Sequence, residues 1–415
     1  MKLSTGPYKG ARDFYPKDKR IQKYMFAVMR KVVESYGYEE YDAPILEPIE
    51  LYLSKSSAEI VTQQTYTFED RGGRKVTIRP EMTPTVSRMV AARRQELSYP
   101  LRWYSIPNVW RYERPQHGRL REHWQLNVDI FGVQNIAAEV EVLQIANGIL
   151  KAFGATEDMY EIRINSRVAL GDAIKLAVPL TSVVEVIRIV DMFEKMSRDE
   201  FIAAISKHLK YPDKLLNYLH SAIPTDEISK IISACSLLGI KVEYVPSIAR
   251  GFDYYTDIVF EVFDRHKDNN RSMFGGGRYD NLIGQFNVEP LPTVGFGMGD
   301  VTLQYFLELH NLLPQLDSAT DAVVILASSE TLAAQKVIKR LRANGLNLSV
   351  DITERKMDKQ IKAADKSGIR FVIIIGDREL SDGRYVLKDL STGKSNMLTI
   401  EEITSMFKKN KEAKN

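Results

Sequence analysis

Hydrophobic and polar positions along this chain follow two different periods, and those periods predict its helices and strands. Asp18–Ser35 and Ala137–Phe153 carry apolar residues at the helical spacing, and a glycine that suits a helix C-terminus follows each of them closely. Trp124–Phe131 alternates between apolar and polar side chains, as a half-buried strand does, and Leu101–Val109 has the composition of a second strand. Because Arg114–Leu120 between them contains a proline and a glycine, we predict that the two strands form a hairpin.

Shorter segments with strand or helix character occupy the rest of the first 320 residues. We predict strands at Tyr38–Ile45, Lys75–Ile78, Lys241–Val245, Ile258–Phe263 and Pro292–Met298, and helices at Pro84–Arg94 and Thr302–His310. Residues 167 to about 239 are mostly helical, with predicted helices at Val183–Lys195, Arg198–His208 and Ile228–Leu238. Because this stretch interrupts the strands and holds few residues with candidate chemistry, we interpret it as an inserted helical domain.

A proline-containing linker at Leu312–Thr320 precedes a region in which strands and helices alternate. The predicted strands are Ala322–Ala327, Asn347–Asp351 and Phe371–Gly376, and the predicted helices are Thr331–Asn344 and Met357–Ser367. This order predicts a small α/β domain with a partly parallel sheet. The lysine-rich tail after Phe407 has the composition of a disordered segment.

Composition places the 415 residues among globular proteins of two or three domains. No apolar run approaches the ~20 residues that a membrane span requires. The chain has no signal-peptide pattern and a single cysteine, Cys235, so we expect a cytoplasmic protein without an internal disulfide. The six histidines lack metal-ligand spacing, and we therefore expect no protein-held metal site.

Charge is distributed unevenly, although the net charge is only +3. The region from Asp321 onward holds 18 basic and 13 acidic residues, whereas the remainder holds 39 basic and 41 acidic residues. A basic C-terminal region on a near-neutral body favours a domain that contacts a nucleic-acid backbone. A lysine-rich surface that serves only solubility would give the same counts, so this feature alone leaves both readings open.

The segment Trp110–Leu126 concentrates candidate chemistry. It contains four arginines within eleven positions and two further polar residues: Arg111, Arg114, Arg119, Arg121, Glu113 and Gln125. Guanidinium groups are costly to crowd beside apolar strands unless an anion lies between them, and arginine makes forked contacts with phosphate. A solvated charged hairpin is the alternative. The predicted hairpin would place these arginines at its open end, as a polyphosphate site requires.

This segment resembles motif 2 of the class II aminoacyl-tRNA synthetases, and its R-P-Q-x-G-R pattern is similar to that of the histidyl-tRNA synthetases. Two further segments, Arg250–Thr256 and Gly275–Asp280, are similar to the signatures that set the histidyl enzymes apart. The predicted helix and strand before Pro44 resemble motif 1, which forms the dimer interface in this class. The resemblance runs from Gly10 to Gly393, with several motifs in the expected order.

The resemblance implies an α+β fold, in which a class II synthetase antiparallel sheet carries flanking helices and a helical insert. A C-terminal α/β anticodon-binding domain follows. The implied catalytic domain has two parts, 1–166 with motifs 1 and 2 and 241–315 with the histidine-specific segments and motif 3. The helical insertion domain is expected at 167–240 and the anticodon-binding domain at 321–415. In the family the insert packs against the tRNA acceptor arm, and we expect a homodimer.

The implied activity is the ATP-dependent attachment of L-histidine to tRNA(His) through a histidyl-adenylate, the reaction of a histidine–tRNA ligase. We expect Mg²⁺ to accompany ATP and pyrophosphate. Because the first step passes through a crowded anionic transition state, catalysis depends on positioning and fixed positive charge. The resemblance implies that Arg111 holds the α-phosphate and the carboxylate. It also implies that Arg250 supplies positive charge near the α-phosphate, where other class II enzymes use a metal ion.

Other hairpin residues are implied to bind ATP and tRNA. Arg119 would bind the distal phosphates, Glu113 would accept from the adenine amino group, and His123 would stack on the adenine. Gln116 and His117, in the predicted turn, would meet the acceptor end of the tRNA.

The histidine pocket has to recognise a cationic amine and a neutral ring with two nitrogens. By resemblance, Glu81 would accept from the α-amino group and Thr83 would add a hydroxyl. Gln125 and Asp129 lie four apart on one predicted strand, so they point to the same face and can reach the imidazole. Asp129 would accept from one ring N–H and thereby fix the tautomer. The remaining implied contacts to histidine are Arg250, Tyr254, Tyr255 and Tyr279.

Some residues have two possible roles. Gly275–Gly277 could form a flexible turn, or it could let the backbone approach a ligand closely, and we favour the second role. Arg278 could contact a ligand or form a structural ion pair. Motif 3 of the class normally ends in an arginine, but Thr302 stands there in this chain. His123 replaces an aromatic residue such as Phe, and Asp129 replaces a longer Glu.

Two other functions compete with the ligase. A non-catalytic synthetase-like regulatory paralogue that binds histidine would keep the fold, and Thr302 in motif 3 leaves that alternative open. The hairpin residues and a basic C-terminal domain argue against it. A ligase for a different amino acid is the other alternative, and Arg250–Thr256 and Gly275–Asp280 argue against that one.

Overall fold

The computed structural model describes residues 3–53, 64–116, 118–269, 271–353 and 355–412. The chain divides into two compact units, the first ending at Leu313 and the second beginning at Pro314. In the described part of the chain, no helix is both long and apolar enough to cross a membrane.

The first unit contains a large sheet, a small sheet and helices. Its strands are β1 (Glu39–Glu40), β2 (Leu46–Pro48), β3 (Tyr66–Glu69), β4 (Lys75–Ile78), β5 (Leu101–Ser105), β6 (Asn108–Trp110), β7 (Glu122–Phe131), β8 (Tyr160–Ser166), β9 (Val242–Tyr244), β10 (Ile258–Asp264), β11 (Ser272–Arg278) and β12 (Thr293–Gly299). Its helices are α1 (Pro16–Ser35), α2 (Glu50–Leu53), α3 (Thr83–Ala92), α4 (Ala137–Ala152), α5 (Arg167–Leu176), α6 (Val183–Val190), α7 (Arg198–Ile205), α8 (Pro212–Ser221), α9 (Asp226–Leu237) and α10 (Asp300–Leu309). Two 3₁₀ helices add Phe193–Lys195 and Ile283–Phe286.

The large sheet has the strand order β1-β5-β7-β12-β11-β10-β8-β9, and β6 also pairs with β7. Its inner pairs are antiparallel, while β1 with β5 and β8 with β9 are parallel. One face of the sheet packs on α1, α4, α9 and α10 in a single hydrophobic core. The predicted α+β fold class, with an antiparallel sheet and flanking helices, is confirmed.

Helix α1 shows why the sequence pattern could be trusted for the long elements. It begins at Pro16, whose missing N–H is not needed in a first turn, and it buries Met25, Met29 and Val33 against the sheet. Gly37, at φ +78°, takes the left-handed conformation that ends the helix without a Cβ penalty. The predicted bounds of α1, α3, α4 and α10 are each within about two residues of the observed ones.

The predicted hairpin is present, but its first strand is broken in two. β5 ends at Ser105 and β6 begins at Asn108, because Pro107 cannot donate to β7 and only its carbonyl accepts, from Gln125 N at 3.1 Å. In β7, Leu126, Val128 and Ile130 enter the core, so the residues between them point to the opposite face. The alternation predicted for this strand is confirmed.

The predicted strand Tyr38–Ile45 is wrong over most of its length, because β1 covers only Glu39–Glu40. After β1, Tyr41 N still donates to Tyr104 O of β5 at 2.8 Å. Beyond it, the Arg79 side chain donates from Nη1 to Ala43 O at 2.7 Å, and its backbone N donates to Ile45 O at 2.9 Å. Pairing resumes at β2, which joins β4 and β3 in the small antiparallel sheet.

The helical stretch after β8 contains two packing groups. Helices α5 to α8 share a small core that includes Leu170, Val186, Phe201 and Leu215. Helix α9 instead contributes Ile228 and neighbouring apolar residues to the core of the large sheet. The boundaries 167–240 of the insertion domain stay a prediction. Helix α9 lies within them but packs on the large sheet and not on helices α5 to α8. Helices α5 and α8 were not predicted separately.

The second unit is an α/β sandwich. Its elements are β13 (Ala322–Ala327), α11 (Thr331–Ala343), β14 (Leu348–Asp351), α12 (Met357–Lys366), β15 (Phe371–Gly376), α13 (Asp377–Asp382), β16 (Tyr385–Asp389), β17 (Ser395–Leu398) and α14 (Ile400–Glu412). The order β14-β13-β15 is parallel, as predicted, and β16 and β17 extend it antiparallel. Helix α14 continues to Glu412, so the expected disorder after Phe407 is wrong for these residues.

A buried ion pair joins the sheet to α4. Arg278 Nε lies 2.6 Å from Glu139 Oε1, and the two side chains are only 6% and 3% exposed. The same guanidinium donates to Val133 O at 3.1 Å. Arg278 does not line the cavity described below, so of its two possible roles the structure shows the ion pair.

We predict that Glu139→Ala lowers the free energy of unfolding by about 3–5 kcal/mol, because it leaves the buried Arg278 charge without its partner. Urea unfolding monitored by tryptophan fluorescence measures this change, since Trp103, Trp110 and Trp124 all lie in the first unit. Arg93→Ala is the control, because Arg93 and Glu96 form an exposed pair that is worth no more than ~1 kcal/mol. Equal losses in the two variants would contradict the prediction.

Candidate active site

A cavity of about 1130 Å³ opens on the face of the large sheet opposite the main core. Its walls come from β7, β10, β11 and β12, from the hairpin and from the segment 247–255. The predicted site residues that line it are Glu81, Thr83, Arg111, Glu113, Gln116, Arg119, His123, Gln125, Asp129, Arg250, Tyr254, Tyr255 and Tyr279. His117 lies outside the described residues. The fold therefore brings together residues that are up to about 200 positions apart in sequence.

Asp129 lies at the buried end of this cavity with one carboxylate oxygen unused. Its Oδ1 accepts from the Tyr279 hydroxyl, whereas Oδ2 has no hydrogen-bond partner among the described residues. Burial raises the pKa of Asp129 to about 7, against the smaller opposing effect of the Tyr279 hydrogen bond. An oriented, desolvated acceptor of this kind suits a ligand N–H.

Glycines on β12 make room for the polar side chains of β7. Gly295 is paired with Asp129 in the strand register, and a Cβ at Gly295 would overlap Asp129 Oδ1. A Cβ at Gly297 would overlap Gln125 Nε2 in the same way. Only glycine at these two places leaves the side chains free to stand over the sheet.

Asn127 is a site residue that the sequence reasoning missed. It is 3% exposed, lines the cavity between Gln125 and Asp129, and accepts from Gln125 Nε2 at 2.7 Å. Its own amide donates to Gln125 O at 2.9 Å, so it orients the Gln125 side chain. The period of two that identified the other two residues was sufficient to identify this one.

Three tyrosines form an aromatic wall beside Asp129. The ring centroid of Tyr254 lies 4.8 Å from that of Tyr255 and 5.7 Å from that of Tyr279, and all three side chains are buried. The Tyr254 hydroxyl donates to Glu81 Oε2 at 3.1 Å. Burial and then the Glu81 charge raise the pKa of Tyr254 well above its ordinary value, so its hydroxyl stays protonated and orients the carboxylate.

Arg250 has a strained backbone and an incompletely satisfied side chain. Its φ is +58°, in the left-handed region that residues other than glycine seldom adopt. Nη1 lies 2.7 Å from Glu261 Oε1, and Nε has no hydrogen-bond partner in the described part of the chain. Burial opposes the charged form of Arg250, but Tyr255 and Glu261 outweigh it and hold the pKa above its ordinary value. The cavity therefore contains a permanent cation held in place by a carboxylate.

The hairpin contributes a second set of charges. Arg111 Nε donates to Pro80 O at 2.9 Å, which ties the hairpin to the residue before Glu81. Arg119 Nε lies 3.0 Å from Glu113 Oε2. Burial and then Arg111 lower the pKa of His123 to about 3, so its ring is neutral near pH 7.

Two of the four hairpin arginines do not line the cavity, which corrects the expectation that all four would. The Arg121 guanidinium lies 3.8 Å from the Tyr112 ring centroid and its Nε donates to Glu113 O, so it holds the hairpin together. Arg114 is exposed outside the cavity. Only Arg111 and Arg119 among the four are positioned for a ligand there.

Gly275–Gly277 is not a turn, because it lies within the central strand β11. A Cβ at Gly276 would overlap Gly295 O on the neighbouring strand, and one at Gly275 would come within 2.9 Å of Arg250 Nη1. These glycines let β11 pack closely on its neighbours, and Gly275 leaves space for the Arg250 side chain.

The helical stretch after β8 contacts the site through ion pairs that include Arg163 with Glu194 and Arg188 with Asp253. Nη2 of Arg188, on α6, lies 2.5 Å from Oδ2 of Asp253, and Asp253 follows Arg250 by three residues. Both Arg188 and Asp191 line the cavity, so the insert forms part of its wall.

The sequence matches the family model described as Histidyl-tRNA synthetase over residues 10–181 and 184–300, and the model described as Anticodon binding domain over residues 321–410. The chain belongs to the histidyl-tRNA synthetase family. It is 44% identical to the histidine–tRNA ligase of Leptospira biflexa over 94% of each chain. It is 37% identical to that of Thermoplasma volcanium over 97% of this chain and 98% of the relative. The crystal structure of histidyl-tRNA synthetase from Nostoc sp. superimposes with a TM-score of 0.81 at 25% identity, covering 99% of this chain and all (100%) of that chain.

Thr302, where the synthetase class normally has an arginine, lies in the first turn of α10 and lines the cavity. Its hydroxyl donates to Met273 O at 2.9 Å. Asp300, two residues earlier, accepts from Trp124 N at 3.0 Å and from Arg12 Nη2 at 2.7 Å. This end of motif 3 therefore anchors β7 and the N-terminal segment through backbone and carboxylate contacts.

We predict that Asp129→Asn raises the free energy of unfolding of the ligand-free protein by about 1–4 kcal/mol at pH 8. Folding raises the pKa of Asp129 to about 7. Below pH ~4 the carboxyl group is protonated in both the folded and the unfolded state, so it does not affect the free energy of unfolding. As the pH rises from there to about 7, the unfolded state loses this proton first, and the folded state is destabilised increasingly. The increase in the free energy of unfolding that Asp129→Asn causes should consequently disappear towards pH 4. Urea unfolding at several pH values measures it.

The exposed Asp13 provides the matched control, because Asp13→Asn removes a carboxylate that is not desolvated. A gain for Asp129→Asn that is independent of pH, or one matched by Asp13→Asn, would contradict the prediction.

Proposed function

We propose that this chain is a histidine–tRNA ligase that activates L-histidine with ATP and transfers it to tRNA(His) in the cytoplasm. The observation that carries the proposal is the free Asp129 oxygen beside the tyrosine wall, in one cavity with the cations Arg111 and Arg250. That combination suits an imidazole ring at one end and a polyphosphate at the other.

Histidine recognition rests on the buried end of the cavity. Asp129 accepts from one ring N–H and so selects the neutral tautomer, while Gln125, held by Asn127, faces the same ring. Glu81, oriented by Tyr254, accepts from the α-amino group, and Thr83 adds its hydroxyl. A ligand without ring N–H groups would leave Asp129 unpaired in a desolvated site, which is a strong basis for discrimination.

The first chemical step joins a carboxylate oxygen of histidine to the α-phosphorus of ATP and releases pyrophosphate. Two negatively charged groups have to meet, so fixed positive charge lowers the barrier. Arg111 holds the carboxylate and the α-phosphate, and Arg250 adds its charge from the other side. Because the ion pair with Glu261 holds the Arg250 guanidinium in place before ATP arrives, little reorganisation accompanies the reaction.

ATP binding involves the hairpin. Glu113 accepts from the adenine amino group and Arg119 binds the distal phosphates, so their mutual ion pair exchanges for contacts with the nucleotide. His123 stacks on the adenine as a neutral ring, which adds no charge beside the base.

Mg²⁺ accompanies ATP in this proposal, and the donor set of the cavity fits an ion carried by the nucleotide. Among the described residues, no group of three or more His, Cys, Asp or Glu side chains could hold a metal ion. Mg²⁺ commonly binds through phosphates, waters and one or two carboxylates, and it would neutralise part of the phosphate charge.

The tRNA contacts extend over the whole chain. Gln116, in the turn of the hairpin, and His117, which follows it in the sequence, meet the acceptor end, and the basic region 321–415 binds the anticodon arm. Residues 167–240 form the insert that packs against the acceptor arm, and 1–166 with 241–315 form the catalytic domain. A homodimer through motif 1 completes the proposal.

We predict that pyrophosphate exchange into ATP depends on histidine and falls by about 100-fold or more in Arg250→Ala, because a fixed charge facing the α-phosphate is lost. Arg250→Lys, which retains the charge without the forked geometry, should retain more of the exchange. Tryptophan fluorescence checks that both variants are folded.

An unrelated amino acid is the control for specificity. Histidine binding without any exchange in the unmodified protein would sink the ligase proposal and favour a regulatory paralogue. Exchange with a different amino acid would favour a ligase of another specificity.

We further predict that Gly297→Ala raises the KM for histidine by about tenfold or more while changing the KM for ATP less than about twofold, because the new Cβ displaces the Gln125 side chain without meeting the backbone of β7. Gly171→Ala, on a helix where a Cβ meets its nearest neighbour at 3.8 Å, is the control. Equal changes in the two KM values would show that the substitution disturbs the fold and not the ring pocket.

A further inference from the structure

Arg271 has no role in the proposed mechanism, although it lines the cavity. It is exposed and comes directly before β11, at the end of the loop that follows β10. Arg271 is close in sequence to a residue that contacts Thr302, which stands where motif 3 normally has an arginine. Met273, two residues after Arg271, accepts from the Thr302 hydroxyl at 2.9 Å through its backbone carbonyl.

Some of the arginines that line the cavity form ion pairs with carboxylates, and others do not. In the described part of the lining, the cationic side chains are Arg111, Arg119, Arg163, Arg188, Arg250 and Arg271. Four of these have carboxylate partners at 2.5–3.0 Å: Arg119 with Glu113, Arg163 with Glu194, Arg188 with Asp253 and Arg250 with Glu261. An anion that binds one of them competes with that carboxylate.

Arg271 has no ion pair and no hydrogen bond with any other described residue. Arg111, the other arginine without a carboxylate partner, already donates its Nε to Pro80 O. Arg271 is therefore a cation in this cavity with all of its donors available to a ligand.

The segments that carry Arg271 and Arg119 both reach Thr302. The turn that carries Arg119 reaches α10 at Gly118, where a Cβ would lie 3.9 Å from Thr302 Cγ2. The strand that Arg271 precedes reaches the same threonine through Met273 O. Both arginines line the same cavity as Thr302, so a polyphosphate next to Thr302 would have both of them in its cavity.

We propose that Arg271 binds the distal phosphates of ATP, in place of the arginine that is absent at Thr302. The inference rests on the proposed ligase function. As the histidine carboxylate oxygen bonds to the α-phosphorus, the bond from the α-phosphorus to its bridging oxygen breaks. Pyrophosphate leaves with that electron pair, and Arg271 and Arg119 stabilise the charge that it gains.

The test compares ATP with AMP, which lacks the distal phosphates. By calorimetry in the presence of Mg²⁺, we expect Arg271→Ala to weaken ATP binding about tenfold or more and AMP binding less than about twofold. Lys267→Ala is the matched control, because Lys267 is exposed on the same loop but does not line the cavity. Equal losses for ATP and AMP, or a loss matched by Lys267→Ala, would overturn the role of Arg271.

Kinetics give a second readout. In histidine-dependent pyrophosphate exchange, Arg271→Ala should raise the KM for ATP and for pyrophosphate and leave the KM for histidine within about twofold. If the unmodified protein binds ATP but shows no exchange, the ligase function fails, while the comparison of ATP with AMP still decides the role of Arg271. If it binds no ATP, both proposals are overturned.

Discussion

The register between β7 and β12 is the constraint on which the rest of the site depends. It sets Gly295 opposite Asp129, so a carboxylate can stand over the sheet where any larger residue would displace it. A slip of one residue would turn Gln125, Asn127 and Asp129 into the hydrophobic core and bring Leu126, Val128 and Ile130 into the cavity. The apolar face of one strand therefore fixes the chemistry on its other face.

Much of this arrangement follows from local sequence. The period of two in β7 predicts which residues share a face, and a helical period with a following glycine predicts α1 and α4, because each pattern depends only on near neighbours. The resemblance places the motifs in the right order. The same alternation places Asn127 on the face of β7 that carries Gln125 and Asp129.

Other features could not be predicted, because they depend on residues distant in sequence. Gly275–Gly277 resembles a turn until β10 and β12 lie on either side of it, where Gly295 O and Arg250 require the absence of a Cβ. The crowding of four arginines in the hairpin does not by itself show which of them line the cavity, and the packing of Arg121 on Tyr112 becomes visible only in the folded hairpin. The strand expected before Pro44 is shorter than predicted, and the carbonyl of Ala43 accepts from the distant Arg79 side chain.

The contact between Arg188 and Asp253 connects helix α6 mechanically to the segment of the cavity wall that carries Arg250. Asp253 is three residues from Arg250, whose backbone has a conformation that must be held by its surroundings. Any tilt of α6 has to stretch or break this ion pair, and the displacement is then transmitted along the chain to the Arg250 guanidinium in the cavity. The outer surface of the insert can vary freely in evolution, whereas the face of α6 towards Asp253 cannot change without altering the placement of that charge.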